Sequence, residues 1–208
     1  MALKKASDPA GLRRIEPREY PRDLDGLCAQ LVDADASVRR WAARDLAQHP
    51  PAAARLCARL AEEGDASVRA VLFSSVTRLG GSAVVDGILP LLRSEDPALR
   101  NGAIEVLSAL PDAVAPRIEA LLGDADSDVR IFTLNLLGNL PHARVPQWLA
   151  QVLRGETEAN VVGAALEVLV EVGSPELLGP LKEARERFAD DPFIGFAADL
   201  AQQGIEAT

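Results

Sequence analysis

The chain has 208 residues, and 48% of them are hydrophobic, which is enough to build a core. Aromatic residues make up only 4%, so the core is predicted to consist of Ala, Leu and Val side chains. The formal charge of −9 at pH 7 argues against binding to duplex nucleic acid, because such proteins normally present a basic face.

The N-terminal segment, residues 1–22, is basic, with six Lys or Arg residues against three Asp or Glu residues. Its helix-breaking residues are Pro9, Gly11, Pro17 and Pro21. One interpretation is an arm that contacts an acidic partner, with Tyr20 as an anchor. The other, which we favour, is a partly flexible terminus that caps the first repeat of the array described below.

Two further features bear on location. The sequence has no run of 18 or more apolar residues, so membrane insertion is not predicted. Met1–Lys5 is followed by Ala-Ser-Asp-Pro instead of an apolar stretch, so a signal peptide is not predicted. With only two cysteines, we expect a cytoplasmic protein with reduced thiols, and the Ala-, Leu- and Arg-rich composition suggests a bacterium with GC-rich DNA.

A five-residue motif recurs along the rest of the chain. The four clear copies are Asp35–Arg39, Asp65–Arg69, Asp96–Arg100 and Asp126–Arg130, and fainter copies begin at Glu158 and Asp191. The intervals between the clear copies are 30, 31 and 30 residues. A period of this size is typical of arrays in which each unit packs on its neighbours. Residues 23–208 are therefore predicted to form one continuous array.

Each unit is predicted to contain two helices. In the second unit, a first helix over 51–61 begins at Pro51 and ends before Gly64. Asp65 then stands at the N-cap of a second helix, whose apolar stripe runs from Val68 to Leu79. By the same pattern, first helices are expected at about 23–32, 51–61, 83–92, 113–122, 143–153 and 175–188. The last second helix, about 191–203, is degenerate, as expected for a C-terminal capping repeat.

The pattern Asp-x-x-Val-Arg-x-x-Ala-x-x-x-Leu in a short two-helix unit resembles HEAT-like repeats of the type also seen in phycobilisome lyases. The resemblance covers about residues 23–203. It implies an all-α fold, an α-solenoid (superhelix) of about six two-helix HEAT-like repeats, with the second helices lining its concave side. It implies little about activity, because many unrelated functions occur on such arrays.

The repeated acidic and basic residues form a ladder with a structural role in HEAT-like families. Stacking is expected to bring each Arg next to the capping Asp of the adjacent repeat, where a bidentate pair would fix the inter-repeat register. The absence of the Arg at Val162 and Gly195 predicts looser packing at the C-terminal end. The ladder comprises Asp35, Arg39, Asp65, Arg69, Asp96, Arg100, Asp126 and Arg130.

No residue is predicted to be catalytic or to bind a metal or cofactor. Cys28 and Cys57 occupy equivalent positions in stacked helices about 8–10 Å apart, too far for a disulfide, and are expected to be small buried hydrophobic residues. His49 and His142 lie in helix-breaking segments. No His-Glu pair is present, which excludes a HEAT-repeat iron hydroxylase, and neither a phosphate-binding loop nor a Gly-x-Ser-x-Gly elbow occurs.

The concave side is the candidate binding surface. Offsets of two, six and ten residues from the repeating Val are predicted to point away from the core, and they change from basic through polar to acidic along the chain. Such an order suits a polypeptide of mixed charge, although ordinary solvated faces are the alternative. The candidate residues are Arg40, Trp41, Arg44, Arg78, Asn101, Glu105, Ile131, Asn135, Asn139, Glu167 and Glu171.

Aromatic residues favour the binding interpretation. Trp41 and its counterpart Phe132 would be interface anchors if exposed, whereas Trp148 is expected to pack on the convex side or between units. The function we favour is a non-catalytic adaptor or scaffold for a protein partner. An enzyme or enzyme subunit, such as a bilin-attaching lyase, is the alternative. A DNA-alkylation glycosylase-like array is less favoured, since the groove turns acidic from Glu105 onward.

Overall fold

The computed structural model describes residues 21–206, which contain twelve α-helices and no strand. The helices are α1 Leu24–Gln30, α2 Ala36–Leu46, α3 Ala53–Glu62, α4 Ala66–Leu79, α5 Ser82–Ile88, α6 Pro97–Ser108, α7 Pro111–Leu122, α8 Ser127–Gly138, α9 Val145–Gly155, α10 Ala159–Val172, α11 Leu178–Arg187 and α12 Pro192–Glu206. Short 3₁₀ turns precede α3 and α11 and follow α5. In the predicted helix 83–92, α5 ends at Ile88 and a 3₁₀ turn follows, because Pro90 has no amide hydrogen to continue the α-helical bonding.

The helices form six antiparallel pairs that stack in chain order. Each odd-numbered helix packs on the even-numbered helix that follows it. The even-numbered helices also pack on one another in sequence from α2 to α12, and the odd-numbered helices do so from α3 to α11. The result is two helical layers with one core between them. The predicted all-α solenoid of six helix pairs is confirmed.

Aspartates begin most of the even-numbered helices. The carboxylate of Asp35 accepts a hydrogen bond from the backbone N–H of Ser37 at 2.7 Å, and that of Asp96 accepts one from Ala98 at 2.8 Å. Asp65, Asp126 and Asp191 make the same contact at α4, α8 and α12. Each carboxylate satisfies an amide that lacks a partner within its helix, which fixes where the helix begins.

The residue three positions after the N-terminal cap is buried in five of the six even-numbered helices, whereas Val38 of α2 is half-buried. Val68, Leu99, Val129, Val161 and Ile194 are all buried at this position. The core is largely aliphatic and runs through all six pairs. The one large aromatic side chain fully buried in the described range is that of Trp148, with the His142 ring stacked against it at 5.0 Å between centroids. None of the helices described has the length and apolar character needed to cross a bilayer.

Most of the predicted basic segment, including Tyr20, lies outside the described residues. Its last two residues contact the first helix pair. The carbonyl of Pro21 accepts a hydrogen bond from Nε2 of Gln30 at 3.3 Å, and Arg22 forms an ion pair with Asp45 at 3.1 Å. Both interpretations of residues 1–22 remain predictions.

Candidate protein-binding surface

The candidate residues lie on the layer of even-numbered helices, on the side away from the core. We call this surface the second-helix face and define it by offsets of two, six and ten residues from the third residue after each cap, together with the exposed side chains that adjoin these positions, such as Trp41. Arg40 and Ile131 are half-buried, and the other predicted residues on this surface are exposed. The exposed residues are Trp41, Arg44, Arg78, Asn101, Glu105, Asn135, Asn139, Glu167 and Glu171. Their role in binding stays a prediction.

The first helix pair presents a basic and aromatic surface. The guanidinium of Arg40 donates to the hydroxyls of Ser37 and Ser67 at 3.0 and 2.7 Å, so this side chain is tethered across α2 and α4. Arg44 instead lies over the ring of Trp41, 5.7 Å from its centroid, and Trp41 is 49% exposed. An exposed cation beside an aromatic face is a common arrangement at protein interfaces.

A groove between α4 and α6 follows, and Phe73 and Gly102 form part of its lining. The ring of Phe73 lies on Gly102 so closely that a Cβ there would come within 2.3 Å of the ring. Arg78 and Glu105 line the same groove together with Ser74 and Asn101. The surface thus changes sign here, with a cation and a carboxylate facing one cleft.

The surface becomes acidic between α8 and α10. Asn135, Asn139, Glu167 and Glu171 line a smaller groove there, and Asn139 donates to the carbonyl of Asn135 at 3.2 Å. Glu171 leans toward α8, because a Cβ on Gly138 would lie 3.5 Å from its Oε2. This order of side chains, from basic to acidic, follows the order of the repeats.

Sequence reasoning missed the last part of the face, which is apolar. Counted from Ile194, offsets of two and six residues give Phe196 and Leu200, whose side chains are 64% and 44% exposed. Phe193 lies on Gly163, where a Cβ would meet its ring at 2.8 Å, and Val170 adjoins Gly204. We call Val170, Phe193, Phe196 and Leu200 the apolar patch. The same count that gave the other candidates would have found Phe196 and Leu200, had α12 not been treated as a degenerate cap.

The predicted ladder is correct in one repeat and differs in the others. Arg69 pairs with the next cap, Asp96, at 2.6 Å as expected. Arg39 and Arg130 instead pair at 2.8 Å with Glu63 and Glu156, each two residues before the next helix cap. These glutamates are long enough to meet the guanidinium while also accepting backbone hydrogen bonds in the turn.

In the third repeat a different arginine makes the inter-repeat contact. Arg93, at the end of the 3₁₀ turn after α5, pairs with Asp124 and with the cap Asp126. Arg100 donates to the carbonyl of Ser94 at 2.7 Å, and its guanidinium covers the ring of Phe132 at 5.0 Å. The expected Arg100–Asp126 pair is therefore wrong, and Phe132 is half-buried beneath Arg100.

Glu63 is the most constrained carboxylate of the ladder. It is 4% exposed and accepts hydrogen bonds from Arg39, Arg59 and the backbone N–H of Asp65. The hydrogen bond from Arg39 lowers the pKa of Glu63 to about 2, against the opposing effect of burial. At Glu156, burial also opposes ionisation, yet hydrogen bonds from the backbone N–H of Glu158 and from Arg130 lower its pKa.

The prediction of looser packing at the C-terminal end is wrong. In α10 every residue from Val161 to Leu166 is buried, including Val162 at the ladder position. Apolar contact with α8 and α12 replaces the ion pair there. Gly195, at the last ladder position, has no following repeat to pair with among the described residues. The missing arginines thus mark a change in the kind of contact.

Cys57 is buried, as expected, whereas Cys28 is half-buried. Both cysteines are free thiols, and burial raises the pKa of Cys57 to about 11. Its sulfur lies 3.9 Å from the carbonyl of Val84. Within residues 21–206, no group of three or more His, Cys, Asp or Glu side chains is placed to hold a metal ion.

Comparison with known proteins supports the repeat assignment. The family model for HEAT repeats matches residues 114–193, which supports the repeat pattern in that part of the chain. Similar solved structures include an engineered protein, with 20% identity, a TM-score of 0.42 and coverage of 87% of this chain and 95% of the other. A designed armadillo repeat protein has 16% identity and a TM-score of 0.41, with 88% and 100% covered.

A third similar structure is the complex of CpcE and CpcF of phycocyanin lyase from Nostoc sp. PCC7120. It has 17% identity and a TM-score of 0.34, and the match covers 90% of this chain and 98% of the other. No curated protein sequence matches the chain significantly.

Proposed function

We propose that this chain is a non-catalytic adaptor that binds a segment of a partner protein along the second-helix face. The observation that carries the proposal is the ordered change of this exposed surface: Arg44 and Arg78 lie at one end, Glu167 and Glu171 near the other. Opposite charges at fixed separation select both a partner and its orientation.

The solenoid frame supports such a role. Each pair is held to the next by buried apolar contacts or by ion pairs, so the exposed side chains project from a pre-formed surface. A partner that binds such a surface loses less free energy to ordering of the receptor. A wide, rigid face with a charge gradient is more useful for holding a polypeptide than for enclosing a small molecule.

Charge reversal at the basic end tests the proposal. Arg44→Glu combined with Arg78→Glu is preferable to a variant at Arg40, whose guanidinium is tethered to two hydroxyls. The matched control is Arg55→Glu combined with Lys182→Glu, which makes the same charge change at exposed positions of odd-numbered helices, outside the second-helix face. Thermal unfolding followed by circular dichroism should confirm that both variants fold.

The measurement is affinity capture from the native lysate, followed by titration of the captured protein with each variant. We expect wild type and control to retain the partner and the Arg44/Arg78 variant to lose it, with a loss of affinity of at least about tenfold. Retention by the Arg44/Arg78 variant would show that the contact lies elsewhere. Failure of all three proteins to capture a partner would remove the support for an adaptor.

A further inference from the structure

We propose that the partner segment is bipartite: acidic at the end that meets Arg44 and Arg78, and both apolar and basic at the end that meets the apolar patch and its neighbouring glutamates. This inference rests on the proposed function and names the chemistry of the ligand. The occupant is one polypeptide segment of a partner protein, lying along the second-helix face from α2 to α12.

The apolar patch is the first support for this inference. Seven large hydrophobic side chains are exposed among residues 21–206, and four of them, Val170, Phe193, Phe196 and Leu200, lie together on α10 and α12. At the equivalent positions of the preceding repeats the side chains are mostly charged or polar. A cluster of exposed apolar side chains beside polar ones is typical of an interaction site.

The patch is not a stacking surface left open for another repeat. The outer side of the last helix pair, where a further pair would stack, carries charged and polar side chains such as Lys182, Arg185 and Gln202 beside apolar ones such as Leu181 and Phe188. Gln202 and Glu206 lie one turn apart on that side of α12, whereas Phe193, Phe196 and Leu200 follow a different row of the helix. The patch therefore belongs to the second-helix face.

Two carboxylates adjoin the patch and define what can fill it. Glu167 is one helical turn from Gly163, on which the Phe193 ring lies, and Glu171 directly follows Val170. Both glutamates are exposed. A ligand with Lys or Arg beside its apolar residues would pair with them, whereas an anionic lipid surface would be repelled.

The dimensions set the length of the segment. Five helix-to-helix steps separate α2 from α12, and packed helices lie about 8–10 Å apart, so the face is about 40–50 Å long. An extended chain that rises about 3.3 Å per residue covers this distance with about 12–15 residues. The acidic end and the basic, apolar end of the segment should therefore be separated by a short neutral stretch.

Two fluorescein-labelled peptides of about 15 residues and identical composition test the inference. The segregated peptide has Asp and Glu at one end, Ser and Gly in the middle, and Phe, Leu and Lys at the other end. In the scrambled peptide the same residues are dispersed. Fluorescence anisotropy of each peptide is measured against wild type, Phe196→Ser/Leu200→Ser, Arg44→Glu/Arg78→Glu and the Arg55→Glu/Lys182→Glu control.

We expect wild type and control to bind the segregated peptide at least about tenfold more tightly than the scrambled one, and both face variants to lose that preference. Because Phe196 and Leu200 are exposed, their replacement should leave thermal unfolding unchanged. Equal binding of the two peptides, or no binding of the segregated one, would overturn the inference. So would self-association that requires Phe196 and Leu200, measured by light scattering, since it would assign the patch to a second copy of the chain.

The two proposals fail separately. If the lysate partner is lost with the Arg44/Arg78 variant but the segregated peptide shows no preference, the adaptor function stands and the bipartite segment is wrong. If the lysate partner is retained by that variant and the peptide shows no preference, both are wrong.

Discussion

The early repeats and the last two differ in the contacts that hold their even-numbered helices together. Between the early pairs, the guanidinium groups of Arg39, Arg69, Arg93 and Arg130 each reach a carboxylate of the next repeat. In the late repeats, α10 presents a continuous buried surface to α8 and α12. The ion pair and hydrogen bonds between the last two pairs come instead from Arg154 to Glu183 and from Arg187 to backbone carbonyls before α10. Ion pairs fix register through directional hydrogen bonds, whereas apolar packing does so through shape.

The same difference appears on the surface. The early repeats expose Arg44 and Arg78, and the last repeats expose the apolar patch. A glycine at each place lets an aromatic ring pack closely on the neighbouring helix, Phe73 on Gly102 and Phe193 on Gly163. Phe73 is half-buried, whereas Phe193 is 55% exposed, so the ring packed on a glycine is more exposed in the late repeats than in the early ones.

The largest expected effect is at the apolar contact of the late repeats. Leu169 is fully buried in α10, so Leu169→Ala should lower the free energy of unfolding by about 3–4 kcal/mol through lost burial and a residual cavity. The cost should be the same at low and high salt, because no charge is involved. Urea unfolding at two salt concentrations measures it.

The matched control for that change is Leu200→Ala, since Leu200 lies on the neighbouring helix and is 44% exposed. It should cost less than about 1 kcal/mol. An equal cost for the two variants would show that the apolar contact of α10 is not what holds the late repeats.

The second prediction concerns the ion pair of the early repeats. Glu63→Gln should destabilise the protein by about 3 kcal/mol at pH 7, because the pKa of Glu63 is lowered from its usual value of 4.5 to about 2 and the change leaves Arg39 without a buried carboxylate. Glu62→Gln, a change in an exposed neighbour, should cost less than about 0.5 kcal/mol.

The pH dependence of this effect has a definite sign. A lowered folded-state pKa stabilises the protein above the unfolded-state pKa and loses that contribution as pH falls through the folded-state pKa. The gap between wild type and Glu63→Gln should therefore be constant above pH 4.5 and close as pH falls toward 2. A gap that persists at pH 2 would show that the side chain acts by packing instead of charge.

The fold could be predicted from the sequence, because the residues that specify each helix are close together in the chain and recur in every repeat. The cap at Asp65 and the buried Val68 follow from the five-residue motif itself, and the same motif recurs at a nearly fixed interval. The partners of the arginines could not be predicted as well, because two acidic residues, such as Glu63 and Asp65, stand close together before each helix. Which of the two acidic residues pairs with the arginine depends on the length of the glutamate side chain and on its hydrogen bonds to the turn.

The apolar end of the candidate site was missed for a different reason. Phe193, Ile194 and Phe196 look alike in sequence, yet Ile194 is buried and Phe196 is 64% exposed. The cap at Asp191 shows which of the three is buried, because it places Ile194 at the position that Val68 occupies in the second repeat. In a repeat that lacks the ladder Arg, the number of residues from the N-cap therefore predicts exposure better than hydrophobicity does.

The smallest expected effect separates exposed from buried ion pairs within the early repeats. The Arg93 side chain is 51% exposed and pairs with Asp124 and Asp126. A double-mutant cycle of Arg93→Gln and Asp124→Asn should give a coupling of only about 0.5 kcal/mol, because water and salt screen an exposed pair. The coupling should fall toward zero in about 1 M salt, where the screening length is about 3 Å.

The same cycle at Arg39 and Glu63, where the Arg39 side chain is 11% exposed, should give a larger coupling that keeps most of its value in high salt. If both couplings vanish with salt, burial does not distinguish the two pairs, and apolar packing alone would account for register along the whole solenoid.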